Sequence, residues 1–339
     1  MSAEIDIRMY HDYSKVTAIG VRTLWQLGTL QQRTQPVYIS GAPRSGTTWV
    51  LETLERAVFA RRYWEPIKGL QVARGPVARY AGGLRPTVLT PDENPDFQAF
   101  IARVLDNSAP LYPGQARSRK LGRAENLRRI GGAGVTLIKF TAAQRALPWM
   151  TGTFSNRGLV VLRNPLSLVA SLKAMTQRPE GWAVQQVPNT IQTALCEMFP
   201  RCGLLSMDAF SQFDEVVLRA CLDTILPVRS SHATEGPLAY ISYEALTGDP
   251  TLFEAVIDWL GLAPFQQAPV EHTETSATTR ADSNVARGGN PNLSWQHRLD
   301  VPQVDRTLAI MEELGIDFYD AERDRTADHL AERGFRVIS

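Results

Sequence analysis

Five short β-like runs punctuate the chain, four of them mostly apolar and one half basic: Val37 to Ser40, Arg61 to Trp64, Val135 to Phe140, Gly158 to Leu162 and Leu238 to Ser242, with Arg61 and Arg62 the basic pair. Each is too short for a stable helix, and their apolar members do not alternate strictly with polar ones. That pattern predicts strands buried on both faces. Helical spacing follows three of the runs, over Gly46 to Phe59, Pro165 to Thr176 and Thr251 to Leu260. It recurs over Asn189 to Phe199, Asp208 to Ile225 and Val301 to Leu314. Strands alternating with helices predict an α/β fold, a parallel central sheet flanked by helices. Two stretches break the pattern. Residues 65–95 hold nine glycines and prolines, and residues 276–294 are polar with a paired glycine, so both are expected to be long functional loops.

Composition narrows the class. The 44% hydrophobic content suits a protein with a sizeable core, and a formal charge of +1 excludes a globally basic nucleic-acid binder. Cys196, Cys202 and Cys221 form no paired motif, so they are expected to be reduced and no metal site is expected. The start of the chain lacks the basic and apolar regions of a signal peptide, and no apolar run reaches the ~20 residues of a membrane span. A cytoplasmic location is the resulting expectation. Residues 16–30 carry Val16, Ile19, Leu24, Leu27 and Leu30 at roughly helical spacing, which fits a helix packed on the domain or a peripheral membrane contact.

The sharpest chemical signal is PVYISGAPRSGTTWVLETL, residues 36–54. A strand, a loop with two glycines and a helix start create an anion site, because the first helical N–H groups lack partners and the helix dipole is positive there. The spacing from Gly41 to Gly46 imitates the nucleotide-triphosphatase P-loop, but Thr47 stands where that motif needs lysine. The cation sits instead within the loop, at Arg44. A second strand–helix junction, RGLVVLRNPLSLVASLKAM at residues 157–175, ends its strand at Arg163 and places Ser171 two helical turns later. An arginine fork at a strand end, with a hydroxyl in reach, suits a second phosphate.

The run Arg44-Ser45-Gly46-Thr47-Thr48-Trp49 resembles the 5′-phosphosulfate loop of the sulfotransferases that use 3′-phosphoadenosine 5′-phosphosulfate (PAPS). Arg163, Asn164, Pro165 and Ser171 are similar to the segment with which that family binds the donor's 3′-phosphate. The resemblance implies a P-loop nucleotide-binding-like three-layer sandwich, with an N-terminal helical extension over 1–35 and one sulfotransferase domain over 36–339. It implies that Arg44, Ser45, Gly46, Thr47 and Thr48 hold the 5′ end. Trp49 is placed either to stack on adenine or to pack in the core. Arg287, followed by Gly288, Gly289 and Trp295, resembles the family's nucleotide-covering loop, with Arg280 a competitor for that part.

Sulfuryl transfer needs a base for the acceptor's proton and a cation for the charge on the leaving phosphate. In one branch of the family a histidine two residues after a strand-end lysine is the base. Here Lys139 has that place, but Thr141 follows it. Other branches use a glutamate after the second strand, which the resemblance assigns to Glu65, with Lys139 as the cation. A salt bridge from Glu65 to Arg61 or Arg62 is the plainer alternative. The loop over 65–95, with Tyr63, Trp64, Tyr80 and Leu84, is the expected acceptor wall for a small molecule, a lipid-linked compound or a carbohydrate. The basic run over 117–129 either steers an anion or forms a solvated face. Two other classes compete: a P-loop-like nucleotide or small-molecule kinase, and a non-catalytic nucleotide-binding partner protein.

Overall fold

Alternate side chains of a strand face opposite sides of a sheet, and here both sides are apolar, so each strand must be covered twice. A computed structural model describes residues 20–27, 35–66, 95–106, 113–116, 118, 120–141, 147–176, 196, 198–203, 211–229, 237–265, 276, 279, 289–320 and 324–339. Within them, β1 (Gln35–Gly41), β2 (Arg61–Trp64), β3 (Val135–Phe140), β4 (Gly158–Leu162) and β5 (Leu238–Ser242) form one parallel sheet in the order β2-β3-β1-β4-β5. Around it lie α1 (20–27), α2 (Thr47–Ala57), α3 (Pro95–Leu105), α4 (Pro113–Ala116), α5 (Arg123–Gly132) and α6 (Leu147–Phe154). They are followed by α7 (Pro165–Thr176), α8 (Gln212–Arg229), α9 (Tyr243–Gly248), α10 (Leu252–Trp259), α11 (Val301–Glu313) and α12 (Thr326–Glu332).

On one face, Val37, Ile39, Leu137, Leu159, Val161 and Ile241 pack against Val50, Leu51 and Leu54 of α2 and Phe253 and Val256 of α10. The other face presents Tyr38, Ile138, Val160 and Tyr240 to Val169 of α7, Val217 and Ile225 of α8, and Ile310 of α11. The result is the expected three-layer α/β sandwich. The chain leaves β1 toward α2 on one face and leaves the adjacent β4 toward α7 on the other. Their loops therefore part at the carboxyl edge of the sheet, and such a divergence opens a crevice between neighbouring strands.

Four of the five strands match the expected spans, and β1 adds a residue or two at each end. Helix boundaries moved for local reasons. α8 begins at Gln212 because the Ser211 hydroxyl accepts the Asp214 N–H at 3.0 Å, a capping contact. It continues through Pro227, whose carbonyl accepts the Tyr240 hydroxyl at 2.9 Å, tying the last turn to β5. α5 has few apolar positions to read, since its buried residues are Asn126, Arg129 and Ile130. α9 has only six residues and relies on the Ser242 hydroxyl, which accepts from Ala245 N–H at 2.9 Å. The helix expected over 189–199 lies largely outside the described residues. Among them, no helix is long and apolar enough to cross a membrane.

The N-terminal helix α1 packs its apolar face on the domain. Val21 and Trp25 are buried in the larger core, with Leu24 against it, so residues 20–27 pack on the domain as a helix, while Leu27 is exposed. Beneath it lies Arg61, 1% exposed, whose guanidinium sits 4.1 Å from the Trp25 ring centroid. Arg61 also donates to Thr136 Oγ1 at 2.9 Å and to the Trp25 carbonyl at 3.2 Å. Burial draws its pKa down to about 10, so it remains charged at neutral pH. Trp25 thus covers a buried cation while making an edge contact with Tyr63 at 5.5 Å. Trp25→Ala is expected to destabilise the protein by about 3–5 kcal/mol, measured by urea denaturation. A loss below about 1 kcal/mol would mean that α1 adds little to the fold.

Candidate active site

The loop after β1 turns tightly because its residues permit it. Ser45 N–H donates to the Ala42 carbonyl at 3.0 Å, and Gly46 at the N-cap of α2 has φ 90°. A Cβ on Gly46 would lie 2.2 Å from the Tyr243 ring, and one on Gly41 would lie 2.3 Å from the Val161 carbonyl oxygen. Arg44 itself adopts φ 77°, an uncommon and costly conformation for a residue with a side chain. It holds this shape at the carboxyl edge of the central strand. The Ser45 hydroxyl is buried without a hydrogen-bond partner beside the start of α2, whose first N–H groups have no side-chain cap. An orphaned hydroxyl, an uncapped helix start and a loop cation form a donor set suited to a phosphate or sulfate oxygen.

Arg163 leaves the end of β4, whose neighbour is β1. Its Nη1 donates to the Arg44 carbonyl at 2.8 Å, and its Nη2 donates to the Pro291 carbonyl at 2.8 Å. Its guanidinium lies 4.5 Å from the Tyr243 ring centroid, and its Nε is buried without a partner. Arg44 Nε in turn donates to Ser171 Oγ of α7 at 3.0 Å. Arg44 thus meets Arg163 and Ser171, more than a hundred residues further along the chain, on one edge. The tail of the loop over 276–294 joins them: Ser167 Oγ donates to the Asn292 carbonyl at 3.2 Å, and Asn292 Nδ2 donates to Thr247 Oγ1 at 2.9 Å. Arg280 and Arg287 lie outside the described residues.

A second cluster occupies the same edge of β2 and β3, where Trp64 is registered opposite Lys139. Glu65 is 1% exposed and follows β2 with φ 49°. Its carboxylate is ion-paired with the Lys139 ammonium, which is itself 3% exposed. Thr141 Oγ1 donates to the two carboxylate oxygens at 2.7 and 2.8 Å, and Thr141 N–H reaches Oε2 at 3.2 Å. The backbone of Glu65 is pinned as well. Its N–H donates to the Lys139 carbonyl at 3.0 Å, and its carbonyl accepts Gln115 Nε2 of α4 at 3.1 Å. Of the arginines in the plainer alternative, Arg61 lies under Trp25 and Arg62 pairs with Glu55 at 3.4 Å.

Other expected residues are placed elsewhere. Trp49 is 8% exposed and makes edge contacts with Tyr243 at 5.5 Å and Phe253 at 5.2 Å. Its ring thus packs against the second core cluster. Tyr63 is likewise buried, against Trp25, and Tyr80 and Leu84 lie outside the described residues. Of the acceptor wall, Trp64 remains at the edge, 5.7 Å from Lys139 Nζ. In the basic run, Arg129 donates to the carbonyls of Glu55 and Val58 (2.8 Å for the latter) at the far end of α2. Arg129 thus braces the edge opposite the crevice, while the exposed Arg128 pairs with Glu125 at 2.8 Å within α5. Three residues gave no usable signal in the sequence: Gln115, Thr141 and Tyr243. The rule about a histidine after a strand-end lysine pointed at position 141 but not at its threonine.

Behind Arg163 stands Glu244, partly buried, whose Oε1 accepts the Asn164 N–H at 3.2 Å while Oε2 is enclosed without a partner. Burial pushes its pKa up to about 7; Arg163 pulls it down and Asp324 pushes it up.

These features define a P-loop-like α/β fold with an anion cradle at the carboxyl edge of its central strand and an ion-paired carboxylate on the next two strands. No family model matches the sequence, and no curated protein does. Similar solved structures include a sulfotransferase domain from the curacin biosynthetic pathway, 14% identical, at a TM-score of 0.41 over 84% of this chain and 98% of that one. A sulfotransferase domain from the Synechococcus PCC 7002 olefin synthase is 13% identical, at 0.40 over 85% and 96%. Mouse sulfotransferase SULT7A1, complexed with PAP (the donor's desulfated form), is 15% identical, at 0.39 over 96% and 98%. Likeness at this level leaves the function to be judged from the chain's own side chains.

Gly46→Ala is expected to cost about 2–4 kcal/mol, from φ strain and the clash with Tyr243. Chemical denaturation reads it, and a cost near zero would contradict the close approach described. Glu244 gives a pH signature. The folded state binds its proton more tightly than the unfolded chain, so this group lowers stability as pH rises from about 4.5 to about 7. Glu244→Gln should flatten that part of the melting-temperature profile. Unchanged slopes in the two proteins would remove Glu244 as the cause.

Proposed function

We propose that the chain is a PAPS-dependent sulfotransferase, moving a sulfuryl group to a hydroxyl or amine of a small-molecule, lipid-linked or carbohydrate acceptor. One observation carries the reading: Arg44 and Arg163 converge through the Arg44 carbonyl and Ser171 at the start of an uncapped helix. A donor with phosphate-type groups at two ends needs two such anchors, and one anchor alone would suit many anions. Arg44, Ser45, Gly46, Thr47 and Thr48 would hold the 5′-phosphosulfate. Arg163 and Ser171 would meet the 3′-phosphate, with Arg287 closing over the nucleotide.

In the proposed reaction the acceptor's oxygen or nitrogen forms a bond to sulfur as the bond from sulfur to the 5′-phosphate oxygen breaks, releasing PAP. Glu65 takes the acceptor's proton. Lys139 meets the charge that grows on the leaving oxygen, and Arg44 with the first N–H groups of α2 meets the remaining oxygens. Burial of Glu65 and Lys139 strengthens these electrostatic effects relative to water. The kinase alternative lacks the lysine that contacts β- and γ-phosphates, since Thr47 stands in its place.

Titration calorimetry with PAP, and with ATP plus magnesium, separates the two enzyme readings. PAP is expected to bind without metal, more tightly than ATP, and Arg163→Ala should weaken it by about 2–4 kcal/mol. Glu65→Gln should keep PAP affinity and lower transfer of labelled sulfuryl groups by about 100-fold or more. Preference for ATP would point to a kinase. PAP binding without transfer to any acceptor pool would point to a non-catalytic nucleotide-binding protein.

A further inference from the structure

The Glu65 carboxylate is held by more than its ion pair. Thr141 follows β3, two residues beyond Lys139, and is 4% exposed. It directs a hydroxyl and a backbone N–H at one carboxylate, the hydroxyl shared between the two oxygens at 2.7 and 2.8 Å. A carboxylate on a short side chain pivots about its terminal bond. An ammonium acts as a point charge and does little to stop that pivot, whereas a hydroxyl and an N–H on one residue define both position and plane. Lys139 has a second demand under the reading above, the charge on the leaving oxygen, so the carboxylate needs another holder while that demand is met. The left-handed backbone of Glu65, φ 49°, gains from the same arrangement, because Gln115 fixes the carbonyl next to it.

We propose that Thr141 is the positioning residue of the base, holding the Glu65 carboxylate in orientation and in its ionised form through its side-chain hydroxyl. The inference rests on Glu65 acting as the base of a sulfotransferase, and it assigns that duty to a residue next to the lysine strand. Among the described residues, Glu65 is faced by Lys139 and Thr141 from β3 and its exit, by Gln115 from α4, and by the adjoining Trp64. Of these, Lys139 alone is charged, and it is unchanged in the variants below. Removing the hydroxyl takes away one donor to the charged form, which raises the carboxyl's affinity for its proton. It also lets the carboxylate turn away from the acceptor.

The test compares the unmodified chain with Thr141→Val, Thr141→Ser and Thr141→Ala. Carbon-13 NMR titration of selectively labelled glutamate carboxyls, with Glu65→Gln to assign the signal, reads the base directly and needs no turnover. Labelled-PAPS kinetics are run alongside. Thr141→Val is expected to move the Glu65 titration upward by about one pH unit. It should lower kcat by about 10- to 100-fold, shift the acidic limb of its pH profile upward, and leave the KM for PAPS within about twofold. Thr141→Ser should restore both readouts, and Thr141→Ala should repeat the valine effect if the valine chain does not fold. An unmoved Glu65 titration in the valine and alanine variants overturns the proposal, and so does failure of serine to restore it. If the unmodified chain transfers no sulfuryl group, the sulfotransferase reading falls, while the titration still decides whether Thr141 governs the Glu65 carboxylate.

Discussion

The carboxyl edge of the sheet is organised around one guanidinium. Arg163 arises from β4, donates to the loop after β1 and to the segment before α11, and rests on the ring that begins α9. The first two of those partners are irregular backbone, which costs conformational entropy to order and has no ladder of hydrogen bonds to order it. A planar group with donors on several sides supplies what the sheet cannot. Without it the loop carrying Arg44 at φ 77° would lose a carbonyl contact that helps hold an unfavourable conformation. The same residue therefore shapes the cradle and adds charge to it.

Charged groups away from that edge serve different ends. Arg61 lies under Trp25, Arg62 pairs with Glu55, and Arg129 meets the carbonyls at the end of α2. These contacts satisfy buried polar groups where the helix and the outer strand would otherwise leave them unmet. Glu65 and Lys139 resemble them in burial but differ in place. They sit at the carboxyl ends of β2 and β3, and Glu65 takes its position with a strained backbone. A strained backbone costs stability, which the contacts that pin Glu65 must offset.

Much of this was readable in the chain. Strands packed on both faces need apolar runs, so β1, β3, β4 and β5 could be located from hydrophobicity, whereas β2 carries Arg61 and Arg62 and is marked by Tyr63, Trp64 and the Pro66 that follows. The junctions at Arg44 and Arg163 were legible because a glycine turn or a proline after a strand is a local event. What was not legible depended on distant partners. Trp49 on α2 looks the same in sequence whether it faces a ligand or a core, and its contacts with Phe253 and Tyr243 come from far along the chain. α5 escaped notice because it is held by Arg129 and Asn126 in place of an apolar stripe. Thr141 could be read only as the absence of a histidine, since its value lies in a contact with a residue 76 positions earlier.

The place where Gly46 faces Tyr243 has a bearing on how such a motif is inherited. A phosphate-binding loop is easily pictured as a portable cassette, a dozen residues that could be grafted onto any strand and helix. Here the ring at the start of α9 fills the space beside the glycine, so loop and ring form a lock and its ward, cut from opposite ends of the chain. A transplanted loop would have to bring that distant tyrosine with it, or arrive beside a void.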